Sequence, residues 1–377
     1  MGAVMNDQRL YWIALNMVKG IGSVRFRILL EAFSNAQAAW EGDPLTLKAA
    51  GLPPVALENL LQLRTTLDFN QLEAGLARHG IKALTWEDEA YPRRLRELDQ
   101  SPPVLYLRGE LLPEDEWTVA VVGTRRISQY GRQVAEELGI FLAQHGITLV
   151  SGLAKGVDAV AHQAALKAGG RTLAVMAHGL DQVYPAEHRS LAAQIIEKGA
   201  LISDYGLGVP PDSTNFPPRN RIISGLSIAT IVVEAGYTSG ALITAEFAVD
   251  QGREVFAVPG NIYAAQSRGT NRLIQKGAHP LLNFEDLLVA LDLELMTQHK
   301  SARVVLPEDA TEARLFSVLT REPLHVNEIG ALAELPIEQV SFTLALMELK
   351  GMVRQVGGMN YVAVRELRSE YQTGAGA

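Results

Sequence analysis

The chain has 377 residues, 47% of them hydrophobic, no cysteine and a formal charge of −8. At roughly 100–200 residues per domain, this length indicates two or three domains, and the apolar fraction excludes wholesale disorder. The lack of cysteine excludes disulfides, thiol nucleophiles and Cys-ligated zinc. Neither a transmembrane stretch of about 18 apolar residues nor a signal peptide is evident, so we expect a cytoplasmic protein. The acidic balance argues against coating nucleic acid by bulk charge, so any such binding has to be local.

The first third of the chain indicates helices followed by a connector. Apolar residues recur at helical spacing over Leu10–Met17 and Val24–Ala32, on either side of Gly20-Ile21-Gly22. We predict a helical domain at 1–85 and a connector at 86–116, with a short strand near Val104.

The central residues 117–290 alternate apolar runs with amphipathic stretches. The runs are Thr118–Val122, Ile147–Val150, Leu173–Ala177, Ala200–Ser203, Ile228–Val233, Glu254–Val258 and His279–Leu282. This pattern predicts an α/β domain with a parallel sheet and helices on both faces. Ligands of such sheets bind beyond the carboxyl ends of the strands, where the strand order reverses.

The C-terminal residues predict a small separate domain. After a linker at 291–307, three helices are expected at Glu312–Thr320, Val326–Ala333 and Ile337–Lys350, ending before Gly351. Val353–Val356 and Tyr361–Val364 flank two glycines and resemble a hairpin. Three helices and a hairpin over 308–365 form the winged-helix pattern, with a loose tail at 366–377.

Two turns after central strands are suited to anions. Gly123-Thr124-Arg125-Arg126 precedes a helix, whose N–H groups and dipole favour phosphate beside two arginines. The alternative is a tight turn with solvated arginines. Ser151–Asp158 is a small-residue turn whose N–H groups are able to cradle phosphate. Asp158 either anchors this loop or is catalytic.

Two further loops carry aromatic and basic residues. Tyr184 either stacks on a ligand or packs in its loop. The spacing between His178 and His188 is not that of helical metal ligands, so a metal site is not expected there. In 215–227 we expect a loop that leads into an apolar segment. Phe216 offers a stacking surface there. The two arginines of this segment, Arg219 and Arg221, either bind phosphate or pair with Asp204 or Asp212.

A strand that ends at Val233 is followed by Glu234 and a Gly/Ser/Thr turn before a helix. Glu234 is either a general acid or base, or it orders Arg125 or Arg219, and we favour the ordering role.

In 111–290 there are 14 basic and 17 acidic residues, a net of −3. Six of the 14 lie in turns expected at one sheet edge: Arg125, Arg126, Arg219, Arg221, Arg268 and Arg272.

Together these motifs resemble the DNA-processing protein DprA (Smf) family. They are Val-Gly-Thr-Arg at 122–125, Ser-Gly-Leu-Ala-Lys-Gly-Val-Asp at 151–158, Tyr-Pro at 184–185, Asn-Phe-Pro-Pro-Arg-Asn-Arg-Ile-Ile-Ser-Gly-Leu-Ser at 215–227, Glu-Ala-Gly-Tyr-Thr-Ser-Gly at 234–240 and Val-Pro-Gly-Asn at 258–261. The resemblance covers the central domain, and the flanking domains match the family's plan.

The resemblance implies an extended Rossmann-like core that binds single-stranded DNA and forms a homodimer, with no catalytic reaction, metal or cofactor. The family protects incoming DNA in natural transformation, loads the recombinase RecA onto it and helps displace single-strand binding protein. Arg125 matches the family's DNA-binding arginine. The residues expected at the DNA site are Gly123, Thr124, Arg125, Arg126, Ser151, Gly152, Ala154, Lys155, Gly156, Tyr184, His188, Asn215, Phe216, Arg219, Asn220, Arg221, Ser239, Gly240 and Asn271. Asp158 and Glu234 are expected in structural or ordering roles.

One position departs from the family pattern, since some relatives carry a lysine where this chain has Ala186. Arg189 and Arg219 are the candidates to compensate. The end domains fit as accessories. The N-terminal domain is of SAM or helix-hairpin-helix type, and its Gly20-Ile21-Gly22 hairpin either grips DNA or is purely structural. Residues 301–365 carry 6 basic and 8 acidic residues, so for the winged helix we expect partner contacts or weak DNA contact.

Two other functions compete with this interpretation. In a phosphoribohydrolase of the lysine-decarboxylase-like group, Glu234 and Arg125 would be catalytic, but that group's Pro-Gly-Gly-x-Gly-Thr motif is missing. In a winged-helix transcription regulator the third helix would be basic, whereas here it contains Glu338 and Glu348.

Overall fold

A computed structural model of the chain describes residues 7–291, 310–319, 323–333, 335–349, 353–356 and 358–363. The chain divides into two units between Leu291 and Asp292, and each is described by itself. The predicted tail at 366–377 lies outside the described residues, as do the predicted linker beyond Leu291 and the predicted helix stop at Gly351.

Helices fill the chain from residue 7 to residue 78. They are α1 (Asp7–Met17), α2 (Ser23–Ala32), α3 (Ala36–Glu41), α4 (Pro44–Ala49), α5 (Pro54–Thr66) and α6 (Phe69–Arg78). Between α1 and α2 the chain turns at Gly20, whose φ of 101° favours glycine. Trp12 stacks on Phe26 with ring centroids 4.8 Å apart and meets the edge of Trp86 at 5.8 Å. This aromatic cluster joins the helices to the chain that follows.

A nine-stranded sheet forms the centre of the first unit, within the part of it that the structure describes. Its strands are β1 (Lys82–Thr85), β2 (Val104–Gly109), β3 (Thr118–Val122), β4 (Thr148–Ser151), β5 (Thr172–Val175), β6 (Ala200–Ser203), β7 (Ala229–Val232), β8 (Glu254–Ala257) and β9 (His279–Pro280). Their order is β1-β2-β6-β5-β4-β3-β7-β8-β9. Strands β3 to β9 are parallel, which confirms the predicted parallel α/β core.

The structure differs from the sequence prediction in the region assigned to the end of the helical domain and the connector. There β1 and β2 extend the sheet with antiparallel pairing, β2 against β6 and β1 against β2. A hydrophobic core lies on each face of the sheet, and alternate residues of β2 pack into these two cores, Tyr106 on one face and Leu105 on the other. Pairing with a strand about 100 residues later is a long-range contact, so no local pattern reveals it.

Helices cover both faces of the sheet. They are α7 (Arg93–Arg96), α8 (Gln129–Gln144), α9 (Val157–Lys167), α10 (Arg189–Lys198), α11 (Phe216–Leu226), α12 (Gly240–Asp250), α13 (Arg268–Gln275) and α14 (Glu285–Ala290), with short 3-10 turns at Pro113–Glu116, Ala186–His188, Ser213–Asn215 and Ala265–Ser267. The N-terminal helices share a core with α9 and α10, whereas α11 and α12 pack on the opposite face. Helix α11 begins at Phe216, where the sequence predicts a loop leading into an apolar segment, and prolines in its first turn are compatible with helix.

Strand β3 is the point where the strand order reverses. It pairs with β4 on one side and with β7 on the other, and Val122 lies opposite Val232. The carboxyl ends of these three strands therefore meet at one edge of the sheet, where α8, α9 and α12 begin. Such an edge is where parallel α/β proteins bind ligands.

The second unit has the winged-helix arrangement that the sequence predicts. Its described elements are α15 (Ala310–Val318), β10 (Leu324–His325), α16 (Val326–Ala333), α17 (Ile337–Leu349), β11 (Val353–Gln355) and β12 (Asn360–Ala363). Strand β10, which the sequence pattern missed, pairs with β12 to make a three-stranded sheet in the order β10-β12-β11. In the described part of both units, no single helix is long and apolar enough to cross a membrane, and only the bent pair of α16 and α17 qualifies by length and composition.

Candidate functional site

A cavity of about 450 Å³ opens where β3 and β7 end. The turns after β3, β4 and β7 and the first turns of α11 and α12 form its walls. It is lined by Val122, Gly123, Thr124, Arg125, Arg126, Ala154, Asp158, Phe216, Pro217, Arg219, Asn220, Ile223, Gly236, Thr238, Ser239, Gly240, Ala241, Ile243 and Thr244. We call it the switch-point cavity.

The turn that carries Arg125 and Arg126 is fastened at both ends to Glu234. The Thr124 N–H donates to the Glu234 carbonyl at 2.7 Å. The Glu234 carboxylate, on a side chain only 3% exposed, accepts from the Ser128 N–H at 2.9 Å and from its hydroxyl at 2.5 Å. Glu234 thus has an ordering position, but its partner is Ser128, the N-cap of α8, rather than an arginine.

Arg125 lies over an aromatic ring at the mouth of the switch-point cavity. Its guanidinium carbon is 5.2 Å from the centroid of the Phe216 ring, and the Tyr184 ring is 6.0 Å from Phe216 on a tilted plane. Arg125 and Arg126 are both exposed, and in the described part of the chain no carboxylate pairs with either. Two cations with no carboxylate partner among the described residues therefore line the same cavity as the Phe216 ring, an arrangement suited to phosphate and base.

The loop after β4 is shaped by Asp158, which lies in the first turn of α9. Its carboxylate accepts from the N–H groups of Gly152 at 3.1 Å and Ala154 at 3.3 Å. Burial raises the pKa of this carboxyl, while the nearby Arg219 guanidinium acts in the opposite direction. Asp158 thus occupies the anchoring position, one of its two sequence-based alternatives. Lys155 leaves the loop to pair with Glu187 at 2.8 Å.

Arg219 is buried under the switch-point cavity rather than displayed on its surface. It is 4% exposed and donates to the carbonyls of Gly152, at 3.0 Å, and Val175. Burial lowers the pKa of Arg219 to about 10, and Asp158 opposes this shift. Its hydrogen bonds to these two carbonyls join the ends of β4 and β5. Because the guanidinium stays charged at neutral pH, it also adds positive potential to the cavity floor.

Arg221 does not line the switch-point cavity. Its guanidinium pairs with Asp204 at 2.7 Å and donates to the Gln100 carbonyl at 2.6 Å. Since α11 is a helix, residues 219 and 221 point in directions about 200° apart. Of the two alternatives for this arginine, the structure therefore shows the pairing with Asp204.

The remaining predicted residues divide between the cavity and its surroundings. Ser239 caps α12, and Asn220 donates to the Gly240 carbonyl at 3.2 Å, so both belong to the cavity wall. His188 contacts the Leu153 carbonyl at 2.9 Å, and Asn271 exchanges hydrogen bonds with Gly260. Nine predicted residues lie outside the lining, namely Ser151, Gly152, Lys155, Gly156, Tyr184, His188, Asn215, Arg221 and Asn271.

Several lining residues were missed by the sequence prediction. Ile223 and Thr244 each lie one helical turn beyond a predicted residue, Arg219 and Gly240, so assigning 216–226 as a helix would have found the first. Thr238 lies in a motif that the sequence did single out.

In the described part of the chain, no group of three or more His, Asp or Glu side chains is placed to hold a metal ion.

Fold and cavity together define a class: a Rossmann-like α/β protein with a cationic cavity at the switch point of its sheet, followed by a winged-helix unit. Residues 82–292 match the family model of DNA recombination-mediator protein A, and residues 299–359 match that of the DprA winged helix domain. The chain belongs to the DNA recombination-mediator protein A family, that is, the DprA/Smf family.

Relatives and solved structures agree with this assignment. Protein Smf of Synechocystis sp. is 34% identical over 94% of this chain and 99% of its own length. The structure of DprA from Streptococcus pneumoniae superposes with a TM-score of 0.65 at 33% identity, covering 77% of this chain and 98% of that one. DprA from Helicobacter pylori, whose structure is titled for its single-stranded DNA binding mode, has a TM-score of 0.52 at 30% identity over 57% and 96%.

Gly156 provides a test of the packing that shapes the switch-point cavity. Its φ is 82°, and an added Cβ would lie 2.3 Å from the Thr124 carbonyl oxygen. We predict that Gly156→Ala lowers the free energy of unfolding by about 2–4 kcal/mol, measured by urea denaturation. The control is Gly169→Ala, with a φ of 78° and open space around the new Cβ, which should cost only about 1 kcal/mol. Equal reductions in the two variants would contradict the predicted clash.

Proposed function

We propose that this protein is a single-stranded DNA-binding recombination mediator that binds DNA at the switch-point cavity. The observation that carries the proposal is Arg125, an exposed guanidinium over the Phe216 ring on a turn fixed by Glu234. Family membership and the single-stranded DNA binding named for the Helicobacter pylori relative support it. Local binding of this kind is compatible with the overall charge of −8.

Each part of the cavity has a role in this proposal. Arg125 and Arg126 bind backbone phosphate through charge-assisted hydrogen bonds. Phe216, with Tyr184 beside it, offers a stacking surface to a base, which tolerates any sequence because every base has a π-face. Arg219 positions the floor and strengthens the field, since its guanidinium is held by the carbonyls of Gly152 and Val175. Arg189, exposed next to the Ala186 turn, is the better candidate to replace the lysine of relatives.

The wider biological role also belongs to the proposal. From its family we infer that the protein acts in the cytoplasm during natural transformation. There it protects incoming DNA, loads RecA onto this DNA and displaces single-strand binding protein. It acts as a homodimer, which multiplies the affinity of two small sites on one strand. Exposed Ile262, Tyr263 and Leu282 follow neighbouring strands β8 and β9 and offer apolar surface for that contact.

The DNA site is tested by Arg125→Ala. We expect affinity for oligo-dT to fall about tenfold or more, because a hydrogen bond to a charged group is worth ~1.5–3 kcal/mol. The slope of log affinity against log salt should fall by about 0.7 for each phosphate that the variant no longer neutralises. Gel shifts with single- and double-stranded oligonucleotides across a salt series measure both quantities.

Arg132→Ala is the matched control for this experiment. Arg132 is exposed on α8, one turn beyond the cap, and does not line the cavity. An Arg125→Ala protein that binds oligo-dT as wild type does, or is weakened no more than the Arg132→Ala protein, would refute the site.

RecA loading has its own test. With single-stranded DNA coated by single-strand binding protein, we expect the wild-type protein to shorten the lag before RecA hydrolyses ATP. With the Arg125→Ala protein the lag should be as long as without any mediator, because a mediator that does not hold the strand delivers no RecA to it. The Arg132→Ala protein should shorten the lag as the wild-type protein does. A lag that the wild-type protein does not shorten counts against loading, while DNA binding is judged separately.

The competing function is nucleotide hydrolysis with Glu234 as general acid or base. The buried Glu234 carboxylate accepts two hydrogen bonds from Ser128 and does not line the cavity, which favours the ordering role. We predict no release of base from nucleoside monophosphates by the wild-type protein, assayed by chromatography. Base release that Glu234→Gln abolishes, with the fold retained, would restore the enzyme.

A further inference from the structure

A second cavity, of about 300 Å³, adjoins the switch-point cavity. The two share Thr238, Ser239 and Ile243, so they open on either side of the turn between β7 and α12. We propose that this second cavity is an adjacent nucleotide subsite for the same strand, with a base on Tyr237 and its phosphate on Arg272 and Lys276. The inference rests on the proposed function, since it extends the path of the bound strand.

Tyr237 provides an aromatic surface like that of the first cavity. Its side chain is 57% exposed, and the guanidinium carbon of Arg272 lies 5.8 Å from its ring centroid. In the first cavity Arg125 lies 5.2 Å from the Phe216 centroid. An aromatic ring beside a guanidinium therefore occurs twice along one edge, and stacking on aromatic rings is how proteins bind single strands without sequence preference.

The cations of the second cavity are available to a ligand. Arg272 and Lys276 lie four residues apart on or directly after α13, so they face the same side. Glu246 of α12 also lines the cavity, yet among the described residues no ion pair within 4.0 Å joins it to either cation. Phosphate therefore meets two positive charges there against one carboxylate.

The turn between the cavities is compatible with a phosphate passing over it. Gly240 is the first residue of α12, so its N–H lies outside the intrahelical hydrogen-bonding pattern. The Ser239 hydroxyl accepts from Ala241, which keeps the turn in place. A strand with bases on Phe216 and Tyr237 would cross at this helix N-terminus, which favours anions.

Oligonucleotide length separates the two cavities experimentally. We would measure affinities for oligo-dT of about 3 and about 12 nucleotides, by competition and by fluorescence anisotropy, on the full chain. Tyr237→Ala and Arg272→Ala should weaken binding of the longer oligonucleotide about tenfold and that of the shorter one less than twofold. Tyr237→Phe should bind as wild type does. Arg268→Ala, which removes an exposed cation of α13 outside both cavities, is the charge control.

A second measurement does not depend on affinity. Ultraviolet crosslinking of oligo-dT that contains 5-iodouracil should give an adduct on Tyr237, identified by mass spectrometry. Unchanged binding of the long oligonucleotide by both alanine variants, or weakening matched by Arg268→Ala, would overturn the subsite. Variants that alter only the oligomeric state, measured by light scattering, would also overturn it in favour of a protein contact. An Arg125→Ala protein with normal affinity would instead refute the proposed function itself.

Discussion

The candidate site depends on how Glu234 joins β3 to β7. Its carbonyl holds Thr124 and its carboxylate holds Ser128, so the turn between them is fixed to the end of the neighbouring strand. Because this carboxylate is buried and fully engaged, it restrains the backbone of the turn that carries Arg125 and leaves the arginine side chain free. Preorganisation of this kind reduces the entropy lost when a flexible ligand such as a single strand binds.

The arginines near this edge fall into two physical groups. Arg219 and Arg221 are engaged by carbonyls and by Asp204, and they hold strand ends and helices together. Arg125 and Arg126 face solvent without a carboxylate partner among the described residues. A buried charge is costly unless it is paired and hydrogen-bonded, so the first group is committed to the fold. The second group keeps its guanidinium donors in solvent, where phosphate can reach them.

This division explains how an acidic chain is suited to an anionic ligand. Among the described residues that line the switch-point cavity, Asp158 is the one acidic residue, while exposed cations, a buried guanidinium and helix N-termini converge on this cavity. In a cleft of this size the local field outweighs the distant net charge, because salt screens charges beyond about 8–10 Å. In the proposed function, affinity comes from a few nucleotides held at this cavity rather than from a basic surface.

The sequence alone determined the alternation of strands and helices, the glycine-containing turns between them and the winged-helix pattern, because these follow from local periodicity and turn chemistry. It also singled out the turn of Arg125 and the position of Glu234. Only the tertiary structure decided that β1 and β2 join the sheet, that Arg219 is buried and that Glu234 binds Ser128. Burial and pairing are set by residues far apart in the chain. The same residue type, arginine, is therefore a buried structural residue at Arg219 and an exposed cation at Arg125.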